Sequence, residues 1–256
     1  MIKIEFIPKY RLYKKAFPEP VSVASSIPEW WKHQESYLNN DQNIHNGTMM
    51  LTIKKCQSIF DSMTFGYYLR CPMDIFIDAT EDKIKVQITS EIMGMQKEYI
   101  LSSHLKEQMA KYPIPDYFHE EIIRIHPMWL VKTEEGHSCL FTSPMHAEDS
   151  PIRSIPGVID TDAYMSDGYL SFFVKKGFKG IIKQGTPIIQ VIPFKREDWE
   201  SSISDDRQSD TKIKEKTLQV RSVFQNGYRL KFWKKKTYKW PIRQLIECPM
   251  KRNLGL

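Results

Sequence analysis

Apolar and polar residues alternate with a period of two in "IKIEFI", residues 2–7, which predicts a strand closed by Pro8. Residues 17–28 break the alternation: Pro18, Pro20 and Pro28 stand among serine and alanine and predict an extended arm. "IPEWWKHQESYL" follows, with Pro28 placed where a short helix can begin. Its Trp30 and Trp31 suit either a packing anchor or a stacking platform for a base or partner. From Met49 the runs shorten and become β-branched or alternating: "MMLTIKKC", "YYLRCPMDIFIDA", "DKIKVQITS" and "QKEYILSS". Residues 104–123 read as a helical insertion interrupted at Pro113 and Pro115. Strand patterns then return in "IRIHPMWLVKT", "HSCLFTS", "GYLSFFVK", "GIIKQ" and "PIIQVIPF".

Short strands with Gly and Pro at their corners predict a mainly β chain closed into a barrel or jelly roll. A parallel sheet would need repeated crossover helices, and the pattern lacks them. The expected organisation is an N-terminal strand and arm over 1–48, the β domain over 49–194, and a C-terminal extension over 195–256. Within that extension "KREDWESSISDDRQSDTKIKEK" reads as a charged linker or solvated helix, and a helix break is expected near Asn226-Gly227.

Composition narrows the class. At 256 residues, 41% hydrophobic and 12% aromatic, the chain can build a sizeable core and is not compositionally disordered. A formal charge of +6 favours acidic partners only weakly. Cys56, Cys71, Cys139 and Cys248 form no Cys-x-x-Cys pair, which fits a reducing setting better than a zinc ribbon or a disulfide framework. The N-terminal stretch has no secretory apolar core, and no run has the length of a membrane span. Asn46-Gly47-Thr48 is then read as a turn rather than a glycosylation site.

Several site types drop out. His119 lacks the second histidine of a zinc-protease helix, and neither a Gly-rich phosphate loop nor a Gly-x-Ser-x-Gly elbow is present. His126, His137 and His146 could share a metal, although satisfied or exposed histidines are the simpler reading, so no metal is assigned. Cys139 lies in an alternating strand and reads as a small buried hydrophobe. The stretch with most chemical content is "PGVIDTDAYMSDGYLSF", residues 156–172. Asp160 and Asp162 in such a turn either tie down nearby backbone amides or await a ligand.

Gly157-Val158-Ile159-Asp160 with Tyr164 resembles the third motif of the deoxyuridine triphosphatase (dUTPase) and deoxycytidine triphosphate deaminase superfamily. "FGYYL" at 65–69 is similar to its first motif, Ala-Gly-Tyr-Asp-Leu, and "GTPIIQVIPF" at 185–194 to its fourth. "EEGHSCLFTSPMH" sits where the family carries a strand ending in Pro-Arg-Ser-Gly. The chain also resembles an uncharacterised family of tailed-phage and bacterial proteins that share a Pro-x-Trp-Trp/Tyr segment and a Gly-Thr-Pro-Ile-x-Gln-x-Ile-Pro-Phe-Lys-Arg segment. The resemblance implies a dUTPase-like β-barrel or jelly roll, with Asp160 as the water-activating base and Asp160, Tyr164 and Gln190 around a deoxynucleotide. It departs from the enzymes where they hold magnesium and phosphate. Tyr68 replaces the first-motif aspartate, Ser143-Pro144-Met145-His146 lacks the arginine, Tyr164 is displaced by one residue, and the Gly-rich fifth motif is absent.

"YRLKFWKKKTYKW", residues 228–240, interleaves lysines with rings and suits a nucleic-acid strand or another partner, with Lys234, Lys235, Lys236 and Trp233 as contacts. The same pattern equally suits rings packed on the fold with solvated lysines. The expectation is a non-catalytic phage-type protein, in the host cytoplasm or virion, that uses its β domain for binding or assembly. Its partners would be copies of itself, in a trimer, or other phage proteins. An intracellular nucleotide-binding protein or pyrophosphatase, needing magnesium only if hydrolysis survives, and a nucleic-acid-binding accessory protein are the alternatives.

Overall fold

Alternation decides which side chains face inward. Along the chain the strands are β1 (Ile4–Pro8), β2 (Val21–Ser22), β3 (Ile44–His45), β4 (Thr48–Met49), β5 (Tyr67–Arg70), β6 (Ile75–Asp78), β7 (Lys85–Ile88) and β8 (Leu101–Ser103). They continue with β9 (Ile123–Ile125), β10 (Trp129–Thr133), β11 (His137–Thr142), β12 (Ile152–Ser154), β13 (Gly157–Ile159), β14 (Ser171–Val174), β15 (Lys179–Ile182) and β16 (Pro187–Lys195). The α-helices are α1 (Glu29–His33), α2 (Gln57–Ser62), α3 (Arg207–Arg221) and α4 (Gly227–Lys231). This computed structural model describes residues 2–38, 44–45, 48–88, 95–104, 106–109, 111–203, 207–222, 227–236 and 238. The chain divides into two compact units, Met1–Val23 with Gly66–Arg196, and Ala24–Phe65 with Glu197–Leu256.

The first unit is built from antiparallel sheets. One has the order β13-β11-β16-β5-β2, a second β12-β14-β9-β8 and a third β15-β6-β7, while β1 pairs with β10. Cys139 opposes Ile159 and Phe141 opposes Val191, so these side chains share the inner face of the first sheet. The second sheet contributes Ile125, Phe172 and Val174, and the third Ile75 and Ile77, to the same continuous apolar cluster. Phe141 is fully buried there, and Phe141→Ala is expected to cost about 3–5 kcal/mol. Burial pushes the Cys139 thiol up to about 11, which keeps it a neutral core group as its position in the alternation predicts.

Two expectations need correction. The chain is mainly β and antiparallel, but among the described residues its sheets are open and no closed barrel is found. The outer strands of the five-stranded sheet, β13 and β2, are three and two residues long, too short to carry the ladder around. The insertion over 104–123 is not an α-helix. Its described residues hold one 3₁₀ turn, Lys106–Met109, because Pro113 and Pro115 remove backbone donors where a helix would have to continue.

In the second unit, α1 follows Pro28 as predicted and buries Trp31, whose ring stacks on Phe60 at 6.1 Å, while Trp30 is exposed. Helix α3 falls in the charged stretch and leaves its described side chains largely exposed. It ends at Arg221 and α4 begins at Gly227, while Asn226 of the predicted break lies outside the described residues. Asn46 and Gly47 of the predicted turn, and Cys248, Lys239 and Trp240, lie outside the described residues. Among the described residues, no helix is long and apolar enough to cross a membrane.

Candidate functional site

The corner after β13 is closed by its own side chains. Asp160 and Asp162 follow the strand directly, and the amides of Ala163 and Tyr164 fold back onto the Asp160 carbonyl at 3.1 and 2.9 Å. Asp160 Oδ1 accepts a hydrogen bond from Ser138 Oγ at 2.6 Å and lies 3.4 Å from Arg196 Nη1. Asp162 is the more deeply held carboxylate. It accepts from Arg196 Nη1 at 2.9 Å, from Arg196 Nη2, and from the amides of Gly136 and Ala163, both at 2.8 Å. The two-pronged bond from the guanidinium holds the Asp162 carboxyl well below the usual range, and the same bond raises Arg196. This is a mutual clamp.

Gln190 stands elsewhere on the sheet. It is fully buried on β16, opposite Thr142 of β11 and Tyr68 of β5, and its Oε1 accepts from the Met145 amide at 2.9 Å. Ser138, the partner of Asp160, and Thr142, the partner of Gln190, are four positions apart on β11. At strand rise this is about 13 Å, with β13 and β16 on opposite flanks of β11. Tyr164 is 59% exposed on the turn. Asp160 and Tyr164 thus share the turn, while Gln190 sits toward the other end of the sheet.

Tyr68 is buried against Val21 and Val23. Burial pushes its phenol up to about 12, so it stays neutral and supplies no anionic ligand for magnesium. Beside the clamp, a cleft of about 650 Å³ is lined by Glu5, Glu134, Glu135 and Asp162 against Lys3, Lys132 and Arg196. Four carboxylates facing three cations make a poor seat for a polyphosphate. A second cavity, of about 590 Å³, contains the Ser143–His146 stretch together with Arg153 and Lys175. Arg153, outside that stretch in sequence, opens onto the same cavity.

In the second unit the basic segment is partly engaged. Trp233 Nε1 donates to both oxygens of Asp61, at 3.1 and 2.9 Å, and Lys236 Nζ reaches Asp61 Oδ2 at 2.6 Å. Burial raises the Asp61 carboxyl, but the bonds from Lys236, Gln57 and Trp233 outweigh it and hold the group below its ordinary value. Lys234 and Lys235 are exposed.

The histidines do not gather, and among the described residues no group of three or more His, Cys, Asp or Glu side chains could hold a metal. His137 Nδ1 faces the carbonyls of Glu134 and Glu135. His126 belongs to an arrangement that sequence reasoning missed: its Nδ1 meets Asp167 Oδ2 at 3.2 Å and its Nε2 meets Ser102 Oγ at 3.3 Å. Asp167 lies within the same 156–172 stretch as Asp160. A polar residue on alternate positions of "IRIHP" was the only sequence signal for His126.

Comparison with models of known protein families finds no match, and comparison with curated proteins finds none either.

Proposed function

We propose that the first unit is a dUTPase-like β module, jelly-roll in ancestry, that no longer hydrolyses nucleoside triphosphates and works by binding or assembly in a phage-type protein. The observation that carries this reading is Tyr68: a buried neutral phenol stands where the resembled enzymes hold their metal with a carboxylate. Phosphoryl transfer depends on cations and positioning more than on a base. Asp160, even as a base worth about 10²–10⁴-fold, would act without that support, and Ser138 and Arg196 already occupy its Oδ1. Purified protein with magnesium is expected to release no pyrophosphate from deoxyuridine or deoxycytidine triphosphate above a buffer control. Turnover abolished by Asp160→Asn would overturn the reading. Native mass spectrometry is expected to find a homo-oligomer, in the first instance a trimer; a monomer at all micromolar concentrations removes self-assembly and leaves other phage proteins as partners.

One observation favours a second reading, retained nucleotide binding: Arg153 and Lys175 line the cavity that holds the Ser143–His146 stretch. A deoxynucleotide at 100 times its dissociation constant would stabilise the protein by about 2.7 kcal/mol. A thermal shift of that size, removed by Arg153→Gln, would put this reading first.

A further inference from the structure

The outer face of the β12-β14-β9-β8 sheet carries a row of polar groups that the nucleotide reading does not use. Ser102 on β8 stands directly opposite Arg124 on β9, and Arg124 stands opposite Ser171 on β14. Directly opposed residues of antiparallel strands share a face, and His126, two positions beyond Arg124, continues along it. The inward positions between them, Ile123 and Ile125, are buried in apolar clusters, which fixes this row as the outward set.

Asp167 is fully buried, and its environment keeps it charged. Burial alone would raise it, but the hydrogen bond from His126, the charge of Lys9 at 3.3 Å and the Tyr169 amide at 3.2 Å outweigh that and hold it below the ordinary carboxylate range. An ionised carboxylate only accepts, so His126 Nδ1 must be the donor. In the neutral imidazole Nε2 is then the acceptor, and the hydroxyl 3.3 Å away is Ser102. The tautomer that deprotonates Ser102 is therefore the one that Asp167 selects.

Two further observations point the same way. Arg124 Nε is buried and has no hydrogen-bond partner, an unspent cationic donor on the strand facing Ser102. Among the described residues, the non-glycine residues with positive φ are Met128 (66°), His146 (61°) and Tyr169 (44°), and two of these three lie two positions from His126 and Asp167. Backbone strain of that kind concentrates at functional sites. The Tyr169 ring, 45% exposed, meets the His126 ring edge-on at 5.6 Å and gives the imidazole an aromatic neighbour.

We infer that Ser102, His126 and Asp167 form a serine-hydrolase site for carboxylic esters. His126 Nε2 takes the Ser102 proton as Oγ bonds the carbonyl carbon, and the carbonyl electron pair moves onto oxygen, where Arg124 offsets the charge. Collapse re-forms the carbonyl and breaks the ester C–O bond, and the departing alkoxide takes the proton from His126. Water then attacks the acyl-serine and gives a proton to His126. The second collapse breaks the bond to Oγ, which recovers that proton. Ester and water become acid and alcohol. Asp167 acts through His126, as its positioning carboxylate.

The test uses the full chain with an alkyl fluorophosphonate and with p-nitrophenyl butyrate. The wild type is expected to gain one phosphonyl adduct, mapped to Ser102, and to cleave the ester. Ser102→Ala, at a half-buried hydroxyl, should keep the wild-type melting curve and lose both. Arg124→Met should slow labelling about 10²-fold and His126→Gln about 10²–10⁴-fold. A low-field proton resonance for His126 Nδ1–H should vanish in folded Asp167→Asn, which a merely structural carboxylate would not produce. If either buried variant fails to fold, Ser102→Ala still decides. A wild type that takes no adduct, or an adduct and ester turnover that persist in Ser102→Ala, overturns the inference. Neither result depends on the nucleotide assays.

Discussion

Asp162 and Asp167 lie five positions apart in one stretch of chain, yet they do opposite things with their charge. Asp162 spends it within its own corner, on Arg196 and the amides of Gly136 and Ala163. Asp167 passes it on, through His126 to a serine hydroxyl. Both carboxyls are held below the ordinary range, so a shifted ionisation does not separate them. What separates them is the kind of partner: the Arg196 guanidinium only donates, to Asp162, Ser138 Oγ and the His137 carbonyl, whereas a neutral imidazole that donates to Asp167 can accept at its second nitrogen.

Between these two carboxylates the largest expected effect comes from the glycines that serve them. Gly168 follows Asp167 with φ +94°, and a Cβ there would lie 2.9 Å from the buried Phe141 ring. Gly136, whose amide serves Asp162, has φ +80° with nothing within 4 Å of such a Cβ. Gly136→Ala therefore meets backbone strain alone, about 1–2 kcal/mol, whereas Gly168→Ala adds overpacking and should cost about 2–4 kcal/mol. Urea midpoints check the order. Equal losses would mean that the Asp167 turn is no more tightly built than the Asp162 corner.

A smaller effect is expected from cutting the clamp with Arg196→Met. Asp162 has a folded ionisation below its unfolded value near pH 3.9, so its stabilisation is present above about pH 4 and is lost as pH falls through the folded value. The gap between wild type and Arg196→Met should thus be widest near neutrality and close in acid. It should also narrow in 1 M salt, where screening reaches about 3 Å, because Arg196 is 41% exposed. A gap independent of both pH and salt would show that Arg196 stabilises by packing rather than by its charge.

The elements that sequence made legible were those whose signals are local. Pro28 starts α1, the alternation of "PIIQVIPF" falls in β16, and the Cys139 position is core. The expected helix over 104–123, interrupted at Pro113 and Pro115, is replaced in its described residues by one 3₁₀ turn, since the prolines leave no run long enough for an α-helix. Barrel closure was not legible, since it depends on whether edge strands as short as β2 and β13 find partners. At the corner the residue types were readable but the division of labour was not: Arg196 is 34 positions from Asp162, and only the pairing of β11 with β16 brings them together. The Ser102–His126–Asp167 row spans separations of 24 and 41 residues across three segments of chain, with no motif to join them.

Asp61 in the second unit offers a third carboxylate and the smallest predicted effect. Like Asp162 it is met by groups that only donate, here Trp233 and Lys236, so neither partner can take a proton in turn. Lys236 is 42% exposed, so this ion pair belongs with surface pairs and should contribute about 0.5 kcal/mol. Lys236→Gln is expected to lower the unfolding free energy read from urea melts by that amount, and Lys234→Gln and Lys235→Gln to leave it unchanged. A double-mutant cycle with Asp61→Asn should recover a coupling of the same size for Lys236 and none for its neighbours. Single-stranded DNA binding separates the remaining role of the segment. If Lys234 and Lys235 hold phosphates while Lys236 is retained on Asp61, their joint replacement should flatten the log–log salt slope by about 1.4, and Lys236→Gln should change it little. Equal changes in slope for all three lysines would mean that Asp61 gives up its cation to nucleic acid, and the likeness to the Asp162 clamp would end there.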